Sequence, residues 1–341
     1  MASLLLLCLL TSGETRNLSL EKEVENYLAA GAAESGDSST FRLYWKEGVR
    51  GETGDGNFRF HFGARVLADS HWRTSDDFMG GLTEDGVFFR DLRLELDGTM
   101  YKNVDFVVQV NFAKSSIVLN DVALALRGIP VVGTVRIGHF KEPFAFESLV
   151  SSKYTLFMEK SAAGNAFAPA RNVGVALMDR AFEERLSWAI GLFRDTDDTG
   201  AGTDDGGYQL TLRLTGLPWE NREEGALLHL GFAFSLRNPE GDTVSFSSRP
   251  GTGSGPLLVE TMSIAAEEVM LYGFELVFLW HSFTFQAEYM AADLDSPGAG
   301  NPMFSGWYAA AGYWITGERR PYDRKSALYK RVSPGRPSPA G

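Results

Sequence analysis

From residue 57 onward, runs of about ten residues alternate apolar and polar side chains before turn formers break them, and this period of two commits the backbone to extended strands. In NFRFHFGARVLAD, Phe58, Phe60 and Phe62 share one face, and Arg59, His61, Gly63 and Arg65 share the other. NVDFVVQVNF sets Val104, Phe106, Val108, Val110 and Phe112 against Asn103, Asp105, Gln109 and Asn111. ALLHLGFAFSLR repeats the pattern, and VMLYGFELVFLW with FTFQAEYMA repeats it on two arms joined by His281 and Ser282. One face carries Phe, Leu, Val, Trp and Tyr with almost no charge, which suits lipid. The other mixes Gly, Ala, Ser, Gln, His, Arg and Glu, which suits a wet lumen of limited width. A soluble sandwich would instead pair two apolar faces and keep its outer faces strongly charged. The fold class is therefore all-β, an antiparallel transmembrane β-barrel, with about a dozen strands between residues 57 and 316.

The connections alternate too. Segments 98–102, 128–132, 181–185 and 281–282 are short turns, while 72–84, 195–206 and 238–264 are long and polar, as in a barrel whose rims face different compartments. No apolar run reaches the length of a spanning helix, and the start, MASLLLLCLLTSGE, has only the length of a signal h-region. Residues 1–13 read as an export signal without a lipoprotein box before Cys8, and 14–39 as a short N-terminal helix, SLEKEVENYLAA, with a linker. Residues 40–56 read as a periplasmic hairpin arm, 57–322 as the barrel and 323–341 as a disordered tail. The single cysteine excludes a disulfide framework and a cysteine-based metal site. The formal net charge of −12 excludes general nucleic-acid binding, which needs a basic face. The stretch 141–170 is long, poorly periodic and dotted with lysine, glutamate and aromatics between two strand-like regions. Such a loop either caps the barrel from outside or folds into it.

Several segments, in order, have a more specific likeness: FGARVLAD, FFRDLRLELDGTMYKNVDFVVQVNF, RIGHFKEPFAFESLVSSKYTLFMEKS, RNVGV, LLHLG, FELVFLW with FTFQAEY, and ITGERRPYD. Together they resemble the O/P family of phosphate-selective outer-membrane porins. The resemblance implies a sixteen-stranded, homotrimeric barrel in outer-membrane lipid, without cofactor, metal or enzymatic activity. Its expected solutes are small anions, phosphate or polyphosphate among them. It further implies that 141–170 folds inward and narrows the pore, where anions would meet Arg65, Arg90, Lys153 and Lys160, with Asp121 orienting or tempering them. Arg59, Arg93, Arg136, Arg171 and Arg213 add to the lumen charge. Alternation alone puts Arg65 and Asp121 on the lumen face, whereas Arg90 shares parity with Leu92 and Leu94 and reaches the lumen only if its strand bulges or ends there. Two positions depart from the family pattern: Asp91 stands in place of a second arginine and Ser148 in place of a loop lysine. Both weaken the convergence of donors on which tight anion binding rests, so weaker anion preference or general diffusion is expected.

The two-residue turn sets Glu275 opposite Glu288, both facing the lumen, at the ~5 Å spacing of a retaining glycosidase. An arginine, a cation or a shared proton would relieve their repulsion equally well, and that reading is preferred. DTDDTGAGTDDGG, 195–207, starts like a calcium loop but has Gly206 where the closing glutamate belongs. The five histidines show no metal-ligand spacing, and GTGSG, 251–255, lacks the Lys-Ser/Thr of a phosphate loop. After TGERRPYDR the chain continues as RVSPGRPSPAG where such a barrel would add about four strands, and strands missing in lipid leave backbone groups unpaired. A truncated product, a non-conducting structural remnant of an outer-membrane barrel, is the alternative reading.

Overall fold

A computed structural model describes residues 40–72, 85–113, 117–202, 207–249, 257 and 259–335. The export signal and N-terminal helix expected over 1–39 lie outside these residues. The strands are β1 (Phe41–Trp45), β2 (Val49–Thr53), β3 (Phe58–His71), β4 (Gly86–Met100), β5 (Val104–Asn111), β6 (Val118–Ile129) and β7 (Gly133–Lys141). Two short helices follow, α1 (Phe146–Leu149) and α2 (Ala162–Phe167), then β8 (Arg171–Ala181), β9 (Leu186–Arg194), β10 (Tyr208–Asn221) and β11 (Ala226–Arg237). Four two-residue strands lie in the next connection: β12 (Thr243–Val244), β13 (Ser247–Ser248), β14 (Val259–Glu260) and β15 (Ile264–Ala265). They precede β16 (Glu268–Trp280), β17 (Phe283–Asp295), β18 (Met303–Tyr313) and the small pair β19 (Tyr322–Asp323) and β20 (Leu328–Tyr329).

Fourteen strands form one antiparallel meander, β1 to β11 followed by β16, β17 and β18. Two more strands take part than the dozen expected, because residues 40–56 are no separate arm. β2 pairs onto β3, Val49 opposite Phe62, so that the backbone groups of the next strand find partners. Among the described residues β1 and β18 do not pair with each other. No described helix is long and apolar enough to cross a membrane.

The two faces divide as the alternation requires. Val66, Val87, Leu92, Leu94, Leu124, Ile137, Leu192, Leu214, Phe274 and Trp307 point outward and stay exposed, a continuous apolar surface far larger than a water-facing sheet tolerates. The inner side of β16 and β17 is buried at alternate positions. What covers it is the segment between β7 and β8. Phe144 lies over Gly273, where a Cβ would come within 3.3 Å of its ring, and Phe167 lies over Gly306 at 3.1 Å. The small inner residues are thus seats for loop aromatics as much as room for water.

Strands from both ends of the sheet touch this loop: Arg65 of β3 reaches Ser151 (3.4 Å) and Glu288 of β17 accepts from the Phe146 amide (2.7 Å). The sheet is therefore curled around the loop, which lies inside it rather than over its rim. The expectation of a disordered tail over 323–341 does not hold through residue 335. Tyr329 packs edge-on against Phe146 with ring centroids 4.8 Å apart, Arg320 covers the Tyr329 ring at 3.8 Å, and Tyr322 hydrogen-bonds His229 (2.6 Å). Phe146 and Val150 of the loop and Leu217, Leu227, Val277 and Leu279 of the wall give this polar-looking segment an apolar surface to bury against.

Candidate functional site

The loop and the inner walls of β3 to β8 enclose a cavity of about 610 Å³. Arg65, Arg90, Arg93, Asp121, Lys153 and Lys160, all expected from sequence, line it together with Asp91, Glu95, Lys141, Glu147, Glu159 and Arg171. Arg59 does not belong to it and faces a separate recess with Arg50, His61 and Asp97 nearer the short turns.

Two bulges make this arrangement. On β4 the register passes from Leu67 opposite Asp91 to Ala68 opposite Phe89, so Arg90 is skipped. The extra residue turns Arg90 inward beside Asp91, which is the condition its parity required. On β6 a second bulge sets Asn120 and Asp121 against a single residue of β5, and both turn toward the interior. Consecutive polar residues on one face are what a regular strand cannot supply.

Each arginine meets a carboxylate. Arg90 Nε donates to Asp69 (2.6 Å) and its guanidinium lies 3.0 Å from Glu159. Arg171 and Arg136 clamp Asp121 from either side at 2.7 and 2.9 Å. Arg93 donates to Asp91 (2.8 Å), and Arg65 lies 3.3 Å from the same carboxylate. Lys141, at the end of β7, donates to the carbonyls of Ser148, Leu149 (3.5 Å) and Val150 (3.3 Å), where its charge meets the exposed carbonyls at the end of α1. Its position where strand passes into loop left no periodic signal to find it by. Among the described residues, Lys153 and Lys160 have no carboxylate within ion-pair distance. Burial, reinforced by the nearby Arg171 charge, pulls the Lys160 ammonium below the usual lysine range. Burial pushes the Glu147 carboxyl up, although Ser161 N donates to it at 2.9 Å.

Glu275 and Glu288 are paired across β16 and β17, as the turn required. Their oxygens are taken by the protein's own donors. Arg213 grips Glu275 with two bonds of 2.8 and 2.7 Å, joined by His229 at 3.1 Å. Glu288 accepts from the Phe146 and Glu147 amides (2.7 and 2.8 Å) and from Tyr308 (2.5 Å). At 3% and 4% exposure neither side chain is open to a solute, and Glu288 serves to pin the loop to the wall.

In the acidic segment, Asp197 accepts from Thr199 N, Thr199 Oγ1 and Ala201 N (2.8, 2.7 and 3.0 Å), which closes a local turn; residues 203–206 lie outside the described residues. His61, Glu95 and Asp97 stand close enough to hold a cation. The His61 ring nitrogens already face Asp97 (2.8 Å) and the Glu47 carbonyl (3.0 Å).

Residues 74–339 match the family model described as phosphate-selective porin O and P. Porin O of Pseudomonas aeruginosa is 25% identical over 336 residues, covering 87% of this chain and 74% of that protein. An uncharacterized protein of Caulobacter vibrioides is 26% identical over 325 residues, covering 89% of this chain and 62% of that protein. Among solved structures, a loop L8 deletion mutant of OmpT, an outer membrane protein of Vibrio cholerae, aligns with a TM-score of 0.46 at 15% identity over 76% of each chain.

Proposed function

The chain belongs to the phosphate-selective porin O and P family, porins of the bacterial outer membrane, and we propose that its channel passes small anions with a weak preference over cations. The observation that supports this reading is the charge of the loop-lined cavity. Seven basic side chains and five carboxylates line it, a formal excess of two positive charges inside a chain whose net charge is −12. Because most of those charges are already paired, the field an incoming anion meets comes mainly from Lys153 and Lys160, with Arg65 and Arg90 behind them. Convergent, partly dewatered cations at a narrowing favour anions, while strong internal pairing keeps the affinity low enough for release. Phosphate and polyphosphate are the solute class implied by the family, and a homotrimer is the expected assembly.

In planar bilayers under a salt gradient, replacing Arg65 and Lys160 together by glutamine is expected to lower the anion over cation permeability several-fold. A reversal potential identical to that of the unaltered protein would remove the assignment. One observation favours a second reading, a non-conducting structural role: residues 320–329 enter the curled sheet and pack beneath the loop, Arg320 donating to the Tyr154 carbonyl. Absence of discrete conductance steps from folded, inserted protein would select that reading.

A further inference from the structure

Asp91 is 4% exposed, yet it lies in the wall of the cavity rather than in a packed core. Its carboxylate accepts from three donors and lies beside a fourth, drawn from three strands and the loop. Oδ1 accepts from Arg93 Nη2 (2.8 Å) and Asn111 Nδ2 (2.8 Å), while Oδ2 accepts from Ser152 Oγ (3.4 Å) and lies 3.3 Å from Arg65 Nε. Two guanidinium groups, an amide and a hydroxyl converging on a planar pair of oxygens form the shell that a free oxyanion would recruit. Arg65 Nε is buried and its approach to Asp91 is too poorly directed to be a hydrogen bond, so the shell retains a donor that the tethered carboxylate does not satisfy. Asn111 is itself held by the Leu92 and Ala113 amides (3.1 and 3.0 Å), which keeps its amide nitrogen aimed at Asp91.

We propose that Asp91 is a built-in counter-anion: it occupies the oxyanion position among Arg65, Arg93, Asn111 and Ser152 and thereby determines that the channel passes anions without retaining them. This inference rests on the anion-channel reading. Withdrawal of the carboxylate's charge leaves the same donors on the lumen wall without their counter-charge, where inorganic phosphate can approach them. Asp91 is in this sense a specificity-determining residue, acting through the two arginines it neutralises.

The test is D91N in planar bilayers, reading the anion over cation permeability ratio in potassium chloride and the block of chloride current by inorganic phosphate. The permeability ratio is expected to rise several-fold and half-blocking phosphate to fall at least about tenfold, with D55N, an exposed carboxylate between β2 and β3 and away from the lumen recesses, behaving as the unaltered protein. Since freeing two buried guanidinium groups could prevent assembly, the charge-balanced pair D91N/R93Q is compared with R93Q alone. The doubly substituted protein is expected to be the more anion-preferring and the more sensitive to phosphate. Equal ratios and equal block in both comparisons overturn the proposal while leaving the anion-channel reading intact. An unaltered protein that prefers cations, or does not conduct, overturns both.

Discussion

Lys160 and Glu147 line the same cavity and are displaced in opposite directions by the same cause, burial of a charge. The lysine loses its proton below its ordinary value of 10.5, and the glutamate gains one above its ordinary 4.5. Both changes have one sign for the lumen. As the pH falls from alkaline to mildly acidic, Lys160 becomes charged and Glu147 neutral, so the cavity grows more positive and anion preference should rise throughout. Reversal potentials measured across that range should show K160Q flattening the alkaline limb and E147Q the acidic one. A profile unchanged by either substitution would mean that neither group faces the permeating ion. Alternation placed Arg65 inward because β3 is regular there, and Asp121 inward because it keeps step with Ala123 and Ala125 beyond the bulge. Glu147 and Lys141 carried no such signal, since their orientation is set by a loop and a strand end.

At the scale of elements, the loop between β7 and β8 is held like a beam at two points. Glu288 accepts two amides at the start of α1, and Lys141 meets the carbonyls at its end. An intramolecular hydrogen bond typically contributes about 0.5–1.5 kcal/mol, and more where one partner is charged. E288Q keeps one acceptor oxygen but turns an amide group toward a backbone N–H, so the loop should lose a large part of one anchor. Single-channel records should then show noisier, larger steps, whereas steady steps of the unaltered size would mean that Phe144 and Phe167 suffice to hold it. The inward fold of this loop was one of two alternatives open to the residues, and the resemblance to the porin family chose between them. The bulges at Arg90 and Asn120 were less legible. Parity stated what Arg90 would need, but a bulge depends on how two strands meet and has no mark in either strand alone.

Over the whole molecule, the outward apolar face and the alternation of short turns with long connections suit a sheet standing in the outer membrane with its polar face turned in. Inside it, residues 320–329 share the lumen with the loop, joined to it by Tyr329 through Phe146 and by Arg320 through the Tyr154 carbonyl. Y329A should loosen this segment and raise the single-channel conductance without altering the reversal potential, because no charge is removed. A conductance equal to that of the unaltered protein would show that the permeation path runs elsewhere, along the β3 to β8 wall.

The period-two pattern determined the strands, their inward and outward faces and the class of fold, because each depends only on side chains two residues apart along one chain. Neither strand count nor charge pairing was settled in that way. The β1–β2 hairpin joined the sheet because β3 offered an edge, the small inner residues became seats for Phe144 and Phe167, and Asp91 became the partner of Arg65 and Arg93. Each of these joins groups that are brought together only when the sheet curls around its loop, and the electrostatics of a lumen depend on those distances, not on the order of residues.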